Sequence, residues 1–195
     1  MTMEIILSLL VGLGLSAACG FRIFVPLLVT AVAARAGYLN PGEGFQWLSS
    51  NVALISLGVA TLLEILAYYV PCVDNFLDLL GVPAAVVAGT ILTASFAVDM
   101  APWLQWSLGV VAGGGTAATV HAGTAAVRGF VTTTTAGIGN HVVSTGEAVA
   151  AAGTSVLAIV APVFACLLIL ILLLVAGRFV AVRLKKRRLC KSSLA

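Results

Sequence analysis

The sequence predicts an all-α polytopic membrane protein, a bundle of about five (four to six) transmembrane helices. Composition and long apolar windows both indicate this class. Of the 195 residues, 61% are hydrophobic and only 9% are charged, and the mean hydropathy is +1.16. Soluble domains carry roughly 25% charged residues, so the chain belongs in a membrane. We assign residues 1–182 to a single transmembrane domain and residues 183–195 to a basic cytoplasmic tail.

Five apolar windows are the predicted spans, and polar, turn-rich segments separate most of them. The windows cover residues 5–34, 52–70, 83–100, 103–127 and 155–177. The polar segments at 71–80 and 128–147 are expected to be loops. His141 and Glu147 lie in the second of these loops, where solvent is the expected environment.

Two of the windows are expected to be broken or re-entrant. As one helix, residues 5–34 would measure about 45 Å against a hydrocarbon core of about 30 Å, so this segment must tilt strongly, protrude or break. Gly20, followed by Pro26, is the natural point of breakage. In residues 103–127, the three glycines at 113–115 lower helix propensity near the centre.

The orientation follows from the basic residues. Six of the ten lie in the C-terminal tail: Arg183, Lys185, Lys186, Arg187, Arg188 and Lys191. Such a juxtamembrane cluster is typical of the cytoplasmic side, near anionic headgroups. Counting five spans back from it places the N-terminus outside. Arg128 alone then violates the positive-inside rule.

Arg22 and Glu64 are the two charges that lie deepest in the apolar windows. A guanidinium keeps its charge at any accessible pH, and at bilayer depth it costs at least a few kcal/mol. Glu64 lies roughly 9 Å below the end of its window at Val70, where Tyr68 and Tyr69 are interfacial aromatic residues. Because their signs are opposite, we expect Arg22 and Glu64 to face each other or to share a polar cavity. A static pair that fixes helix register is the alternative to a functional role.

The Gly-rich fourth window adds His121 and Arg128 to the candidate polar centre. In this window, as in the first, a run of small residues ends in an arginine. Paired segments of this kind indicate an inverted-repeat transporter site. His121 is expected either to bind or relay a proton, or simply to hydrogen-bond a nearby carbonyl. Small residues at every fourth position also favour close helix packing within the chain or between protomers. These are Gly12, Ser16 and Gly20, and Gly115, Thr119 and Gly123.

Several other classes of function are not predicted. The chain has no Gly-x-Ser-x-Gly elbow, no HExxH motif and no paired catalytic carboxylates, so we expect no enzyme. The segment 137–140 lacks the Lys-Ser/Thr of a phosphate loop. Two histidines and scattered carboxylates make no metal site, and no cofactor is expected. The net charge of +3 gives no reason to expect nucleic acid.

Four phrases together resemble a known family: GLSAACGFRIFVP at 14–26, YYVPCVDNFLD at 68–78, AGGGTAATVHAGTAAVR at 112–128 and GNHVVSTGE at 139–147. The chain is similar along almost its whole length to the bacterial membrane family of domain of unknown function 4126. The family pattern has Pro and an acidic residue where this chain has His141 and Ala148. The resemblance implies a small polytopic protein of the bacterial inner membrane, and it carries over no catalytic or binding residue.

The sequence favours a small transporter or channel-like protein for an anionic solute or lipid headgroup. Its polar centre would comprise Arg22, Glu64, His121 and Arg128. Guanidiniums and half-helix N-termini both favour anions. Small-residue faces also predict self-association. The alternative function is a non-transporting membrane scaffold or assembly factor, whose intramembrane charges are structural and whose tail docks a soluble partner.

Overall fold

All regular structure in the described residues is helical, as the composition predicts. The computed structural model describes residues 2–67, 71–135, 139–171, 174 and 178, with no side chains described at 71–79. The basic tail and the aromatic end at 68–69 lie outside this part. The helices are α1 (Thr2–Cys19), α2 (Phe24–Arg35), α3 (Asn51–Ala67), α4 (Pro71–Phe96), α5 (Pro102–Leu108), α6 (Gly115–Thr135), α7 (Asn140–Val160) and α8 (Pro162–Ile171).

The first apolar window is broken at its glycine, as predicted. The linker 20–23 separates α1 from α2. Gly12 of α1 packs against Thr93, near the end of α4. The loop after α2 returns to that same end of α4, where the Gly42 N–H donates to the Ser95 carbonyl oxygen (2.8 Å). The two helices therefore form a hairpin that reverses at the linker, and not one tilted span.

Both polar segments that were expected to be loops are helical, so that prediction is wrong. Helix α4 already covers residues 71–80, and α6 and α7 cover most of 128–147. In α6 the Thr132 hydroxyl donates to the carbonyl oxygen of Arg128, four residues back (2.9 Å). Threonines that satisfy their polar groups in this way do not end a helix. Arg128 and Glu147 consequently lie inside helices.

In the fourth window the glycines lie at a change of helix type. A π-helical turn, Gly109–Gly114, joins α5 to α6. A Cβ on Gly113 would overlap the Thr93 side chain and the Gly89 carbonyl oxygen, and a Cβ on Gly89 would press on the Gly113 backbone. Glycines on both helices therefore permit a close approach of the π-helical turn to α4.

The last apolar window is broken as well, which the sequence analysis did not predict. At Ala161 the backbone leaves the helical region, with φ −142° and ψ 70°. A straight continuation of α7 would place Leu168 about 31 Å from Glu147. Both residues nevertheless line one cavity of about 450 Å³. The chain therefore folds back at Ala161, and α8 lies alongside α7.

Small residues pack α1 against α4 and α6, as their spacing predicts. The Ser16 hydroxyl oxygen lies 2.6 Å from the Gly89 carbonyl oxygen and 2.7 Å from the Thr93 hydroxyl oxygen, both on α4. One turn later, a Cβ on Gly20 would overlap Val120 of α6. Without large side chains at these positions, the backbones come close enough for such polar contacts.

The second small-residue ridge lies on a face of α6 with open space in front of it. A Cβ at Gly115 or Gly123 would have no heavy atom of the described chain within 4 Å. Thr119, between them, is exposed. This ridge does not pack inside the described chain, and two of its residues, Thr119 and Gly123, line an apolar cavity between α6 and α7.

The tryptophans lie at one end of the bundle, which we call the tryptophan end (Trp47, Trp103 and Trp106). The ring centroids of Phe45 and Trp106 are 5.8 Å apart, which joins the loop after α2 to α5. Trp47 and Trp103 are exposed. The linker 20–23 and the facing ends of α6 and α7 lie at the opposite end, which we call the arginine end.

Among the described helices, α7 passes a length and hydropathy test for crossing a membrane. The other apolar helical stretches with described side chains have fewer than 18 residues: Met3–Cys19, Phe24–Arg35, Asn51–Ala67, Leu80–Phe96 (part of α4) and Pro162–Ile171. In the first and last windows, a break divides the apolar run into two shorter helices.

Candidate functional site

Arg128 and Glu147 form a buried ion pair between α6 and α7. Arg128 Nε donates to Glu147 Oε1 (3.0 Å), and Nη2 donates to Oε2 (2.6 Å). Arg128 is 1% exposed and Glu147 is 6% exposed. Two parallel bonds match the planar guanidinium to the planar carboxylate, which gives the pair both strength and a fixed orientation. The pair ties the two helices together about 10 Å inside the arginine end.

Arg22, in the linker between α1 and α2, approaches the same carboxylate. Its Nη2 donates to the carbonyl oxygen (2.9 Å) and to the hydroxyl oxygen of Ser144, and lies 3.9 Å from Glu147 Oε2. Ser144 and Glu147 are three residues apart and so face one side of α7. Two buried guanidiniums therefore converge on one carboxylate. We call Arg22, Arg128, Ser144 and Glu147 the arginine centre.

Glu64 lies beside this centre in a different role from the one predicted. Its Oε1 and Oε2 accept hydrogen bonds from the backbone N–H groups of Ile23 and Phe24 (2.8 and 3.0 Å). These are among the N–H groups that a helix start leaves without partners, and a carboxylate there also suits the helix dipole. Arg22 and Glu64 were expected to face each other or to share a polar cavity; the hydrogen bonds described for Glu64 go to the backbone, and those of Arg22 go to Ser144. The break in the helix frees backbone donors, and Glu64 satisfies them while Arg22 turns toward α7.

His121 closes the helix break from the side of α6. Its Nδ1 lies 3.2 Å from the Gly20 carbonyl oxygen, at the end of α1, and the Thr124 hydroxyl donates to the same oxygen (3.4 Å). The imidazole lies directly over Gly81 of α4, where a Cβ would overlap the ring. The contact with a carbonyl is the simpler of the two roles expected. His121 lies seven residues, or two turns, before Arg128 on the same face of α6.

An apolar cavity of about 450 Å³ lies beside the arginine centre. It is bounded by α6, α7, α8 and Phe21. Among the described residues that line it, Glu147 alone is charged. The lining extends about 12 Å along α6, from residue 119 to 127, and about 16 Å along α7, from 143 to 154. The cavity thus runs from the arginine centre toward the middle of the bundle.

At the arginine centre, two guanidiniums approach the protein's own carboxylate. Guanidinium forks bind carboxylate and phosphate oxygens with the same geometry. Within the described part of the chain, no three His, Cys, Asp or Glu side chains are grouped as metal ligands.

Ser144 and Glu147 were not predicted as site residues, because their segment was expected to be a loop. Their signal lay in helical spacing: the buried residues of α7 are Ser144, Glu147, Ala151, Ser155 and Ala158. Steps of three and four residues define one helix face. A face made of serine, alanine and glutamate is not apolar enough to appear in a search for apolar windows. His141, one turn earlier, is exposed, as expected.

A comparison with known protein families matches nearly the whole chain. The model of one family, described as domain of unknown function (DUF4126), matches residues 9–182. That range includes the arginine centre, Glu64, His121 and the cavity. No curated protein and no solved structure matches the chain. The chain belongs to the family of domain of unknown function 4126.

Proposed function

We propose that the chain is a polytopic protein of the bacterial inner membrane. The exposed side chains support this: on α3 every one of the following is more than half exposed, namely Val52, Ile55, Val59, Leu62, Leu63 and Leu66. Soluble monomers rarely expose contiguous apolar patches larger than a few hundred Å². Lipid is the solvent that such a surface suits, and exposed tryptophans suit the boundary between lipid and water.

The proposed topology has the basic tail in the cytoplasm and the N-terminus outside. The reversals at 20–23 and at Ala161 add two changes of direction to the five predicted spans, so the two ends of the chain stay on opposite sides. Helix α2 has 12 residues and measures about 18 Å, less than the hydrocarbon core of about 30 Å. We therefore treat α2 as part of a re-entrant hairpin that is buried in the bundle.

The proposed activity is transport of an anionic solute or a lipid headgroup through the arginine centre. The observation behind it is the convergence of buried Arg22 and Arg128 on Glu147. A buried ion pair often contributes no more stability than apolar residues of the same volume, so folding alone is a weak reason to keep one. A broken helix with its N-terminus at the same place is the arrangement by which many transporters bind anions.

Flux in proteoliposomes tests this proposal. The full chain is placed in phosphatidylcholine liposomes, and both phosphate flux and leaflet exchange of a labelled anionic lipid are measured. In Arg22→Ala, loss of a charge-assisted hydrogen bond is expected to reduce the rate about ten- to a hundredfold. Arg35→Ala is the matched control, since Arg35 is exposed in the last turn of α2.

Arg22→Ala must accumulate in the membrane like the wild type for this comparison to count. A variant that accumulates normally and retains the wild-type rate contradicts the proposed transport. If Arg22→Ala is destabilised, Ser144→Ala is the milder variant to use. It removes one hydrogen-bond acceptor of Arg22 and keeps both arginines.

A scaffold or assembly factor is the second candidate. It is favoured by the fact that Arg22 and Arg128 already contact Ser144 and Glu147 within the chain, as structural charges should. This function predicts no flux from the wild type, loss of the protein from the membrane in Arg22→Ala, and a complex recovered through the basic tail. The same liposome experiment therefore separates the two functions.

A further inference from the structure

We infer that the apolar cavity holds the hydrocarbon tail of the transported molecule while the arginine centre binds its anionic head. The substrate class is then a lipid-like amphiphile with a phosphate or carboxylate head. This inference rests on the proposed function and specifies the substrate of the same site.

The dimensions of the cavity suit a hydrocarbon chain. Its volume of about 450 Å³ lies within the range of ligand pockets, roughly 300–1,000 Å³. Its walls are mostly apolar side chains and glycines, including Phe21, Val143 and Leu168. Gly123 and Gly146 line opposite walls, and a Cβ on either would have no heavy atom within 4 Å. Small residues at these positions leave the space open instead of filling it.

The charges at one end of the cavity favour an anionic head. Glu147 is the charged residue in the described lining, and both of its carboxylate oxygens face guanidinium groups of Arg128 and Arg22. A cationic head would have to compete with two arginines for this carboxylate. An anionic head instead replaces the carboxylate as their partner and gains the same forked hydrogen bonds.

Head and tail sites are continuous along α7. Glu147 is itself part of the cavity lining, between Val143 and Gly146 before it and Ala150 after it on α7. One molecule can therefore occupy both sites without a polar gap. A free phosphate would use only the first site and would leave the cavity without a function.

Photolabelling tests the inference with the full chain in phosphatidylcholine liposomes. The probe is dodecyl phosphate with a diazirine at the end of the tail, and labelled peptides are mapped by mass spectrometry. We expect labelling of α6 and α7 that unlabelled dodecyl phosphate displaces. Inorganic phosphate should displace it much less effectively than dodecyl phosphate, because it binds only the head site and lacks a tail. Dodecyltrimethylammonium should not displace it, because it lacks an anionic head.

Matched glycine variants test the position of the tail. Gly146→Leu fills the cavity and is expected to reduce labelling about tenfold or more. Gly153→Leu is the control on the same helix, since Gly153 also has open space but does not line the cavity. Gly123→Leu and Gly115→Leu repeat the comparison on α6.

The contrary outcomes are distinct. Equal labelling of Gly146→Leu and Gly153→Leu, or displacement by inorganic phosphate as effective as by dodecyl phosphate, overturns the tail site. Transport that depends on Arg22 would then still stand. Displacement by dodecyltrimethylammonium overturns the anionic head. Cross-links between two copies of the chain at α6 and α7, in place of lipid labelling, would assign the cavity to self-association and also overturn the inference.

Discussion

Ser144 provides Arg22 with two acceptors in a single residue, a backbone carbonyl and a hydroxyl. Glu147, one turn later, lies within reach of the same guanidinium and binds Arg128 with both oxygens. A single helical turn of α7 therefore supplies acceptors to arginines from two other parts of the chain. The stability of the arginine centre therefore depends on the hydrogen-bond acceptors that α7 supplies to each guanidinium.

Ser144→Ala removes one acceptor from a buried charge. Hydrogen bonds to charged groups contribute about 1.5–3 kcal/mol, so we expect the free energy of unfolding to fall by that amount. Ser155→Ala is the control, because the described hydrogen bond of Ser155 is to Ala151, four residues back on its own helix (2.6 Å). Unfolding in detergent measures both. Equal losses would show that the Arg22 contact contributes no specific stability.

Arg128 and Glu147 are expected to be energetically coupled. Removing one partner of a buried pair costs about 3–5 kcal/mol, because the other charge is left buried without its partner. The double variant Arg128→Ala/Glu147→Ala should therefore lose less than the sum of the single variants, by about 0.5–3 kcal/mol. The cycle is measured by unfolding in detergent. Strict additivity would contradict a direct pair.

At the scale of elements, two helix interruptions have different consequences. The break at 20–23 frees backbone groups that Glu64 and His121 satisfy from α3 and α6. The π-helical turn Gly109–Gly114 instead keeps the chain continuous and lets it approach α4 closely. One interruption thus creates a polar site, and the other improves packing.

Two neighbouring glycines test the packing of the π-helical turn. Gly113→Ala should destabilise the protein by about 1–3 kcal/mol, since the new methyl group overlaps Thr93 and the Gly89 carbonyl. Gly115→Ala, two residues later, has open space and should instead stabilise the helix by up to about 1 kcal/mol. Thermal unfolding in detergent compares them. If both substitutions shift the stability in the same direction, α4 does not approach the π-helical turn as closely as described.

Glu64→Gln tests the cap on α2. One carboxylate oxygen becomes an amide NH₂, which cannot accept from the N–H groups of Ile23 or Phe24. We expect a loss of about 0.5–2 kcal/mol, typical of helix caps. Hydrogen exchange should increase selectively in the first turn of α2, while the exposed α3 surface is unchanged. Uniform exchange across the protein would indicate that Glu64 has no local capping role.

At the scale of the whole molecule, the tryptophans and the arginine centre lie at opposite ends of the bundle. Exposed Trp47 and Trp103 lie at the tryptophan end, and the arginine centre lies about two turns inside the other end. With the tail in the cytoplasm, the centre would be closer to the cytoplasmic surface. A transported head would then enter from the leaflet that faces the arginine end.

The topology predicts which surfaces are accessible. An N-terminal reporter should be outside the cell, and a reporter after the basic tail should be cytoplasmic. Alkaline carbonate should leave the protein in the membrane pellet. A cytoplasmic N-terminal reporter would overturn the proposed orientation, and release by carbonate would overturn the membrane assignment itself.

The sequence by itself determined the helical class, the break at Gly20 and the close packing of α1 through Ser16. These follow from composition and local spacing, which act within a few turns of one helix. It also identified Arg22, Glu64, His121 and Arg128, because polar groups in apolar runs are rare enough to stand out.

Only the tertiary structure decided which partners these residues take. Arg22 contacts Ser144, which is 122 residues away, while Glu64 binds the backbone next to Arg22. No local pattern encodes such contacts, because they depend on how α7 packs against the linker between α1 and α2. The reversal at Ala161 is also a tertiary feature, since the sequence of α8 by itself is equally compatible with a continuation of α7. The cavity beside Glu147 exists because of that fold.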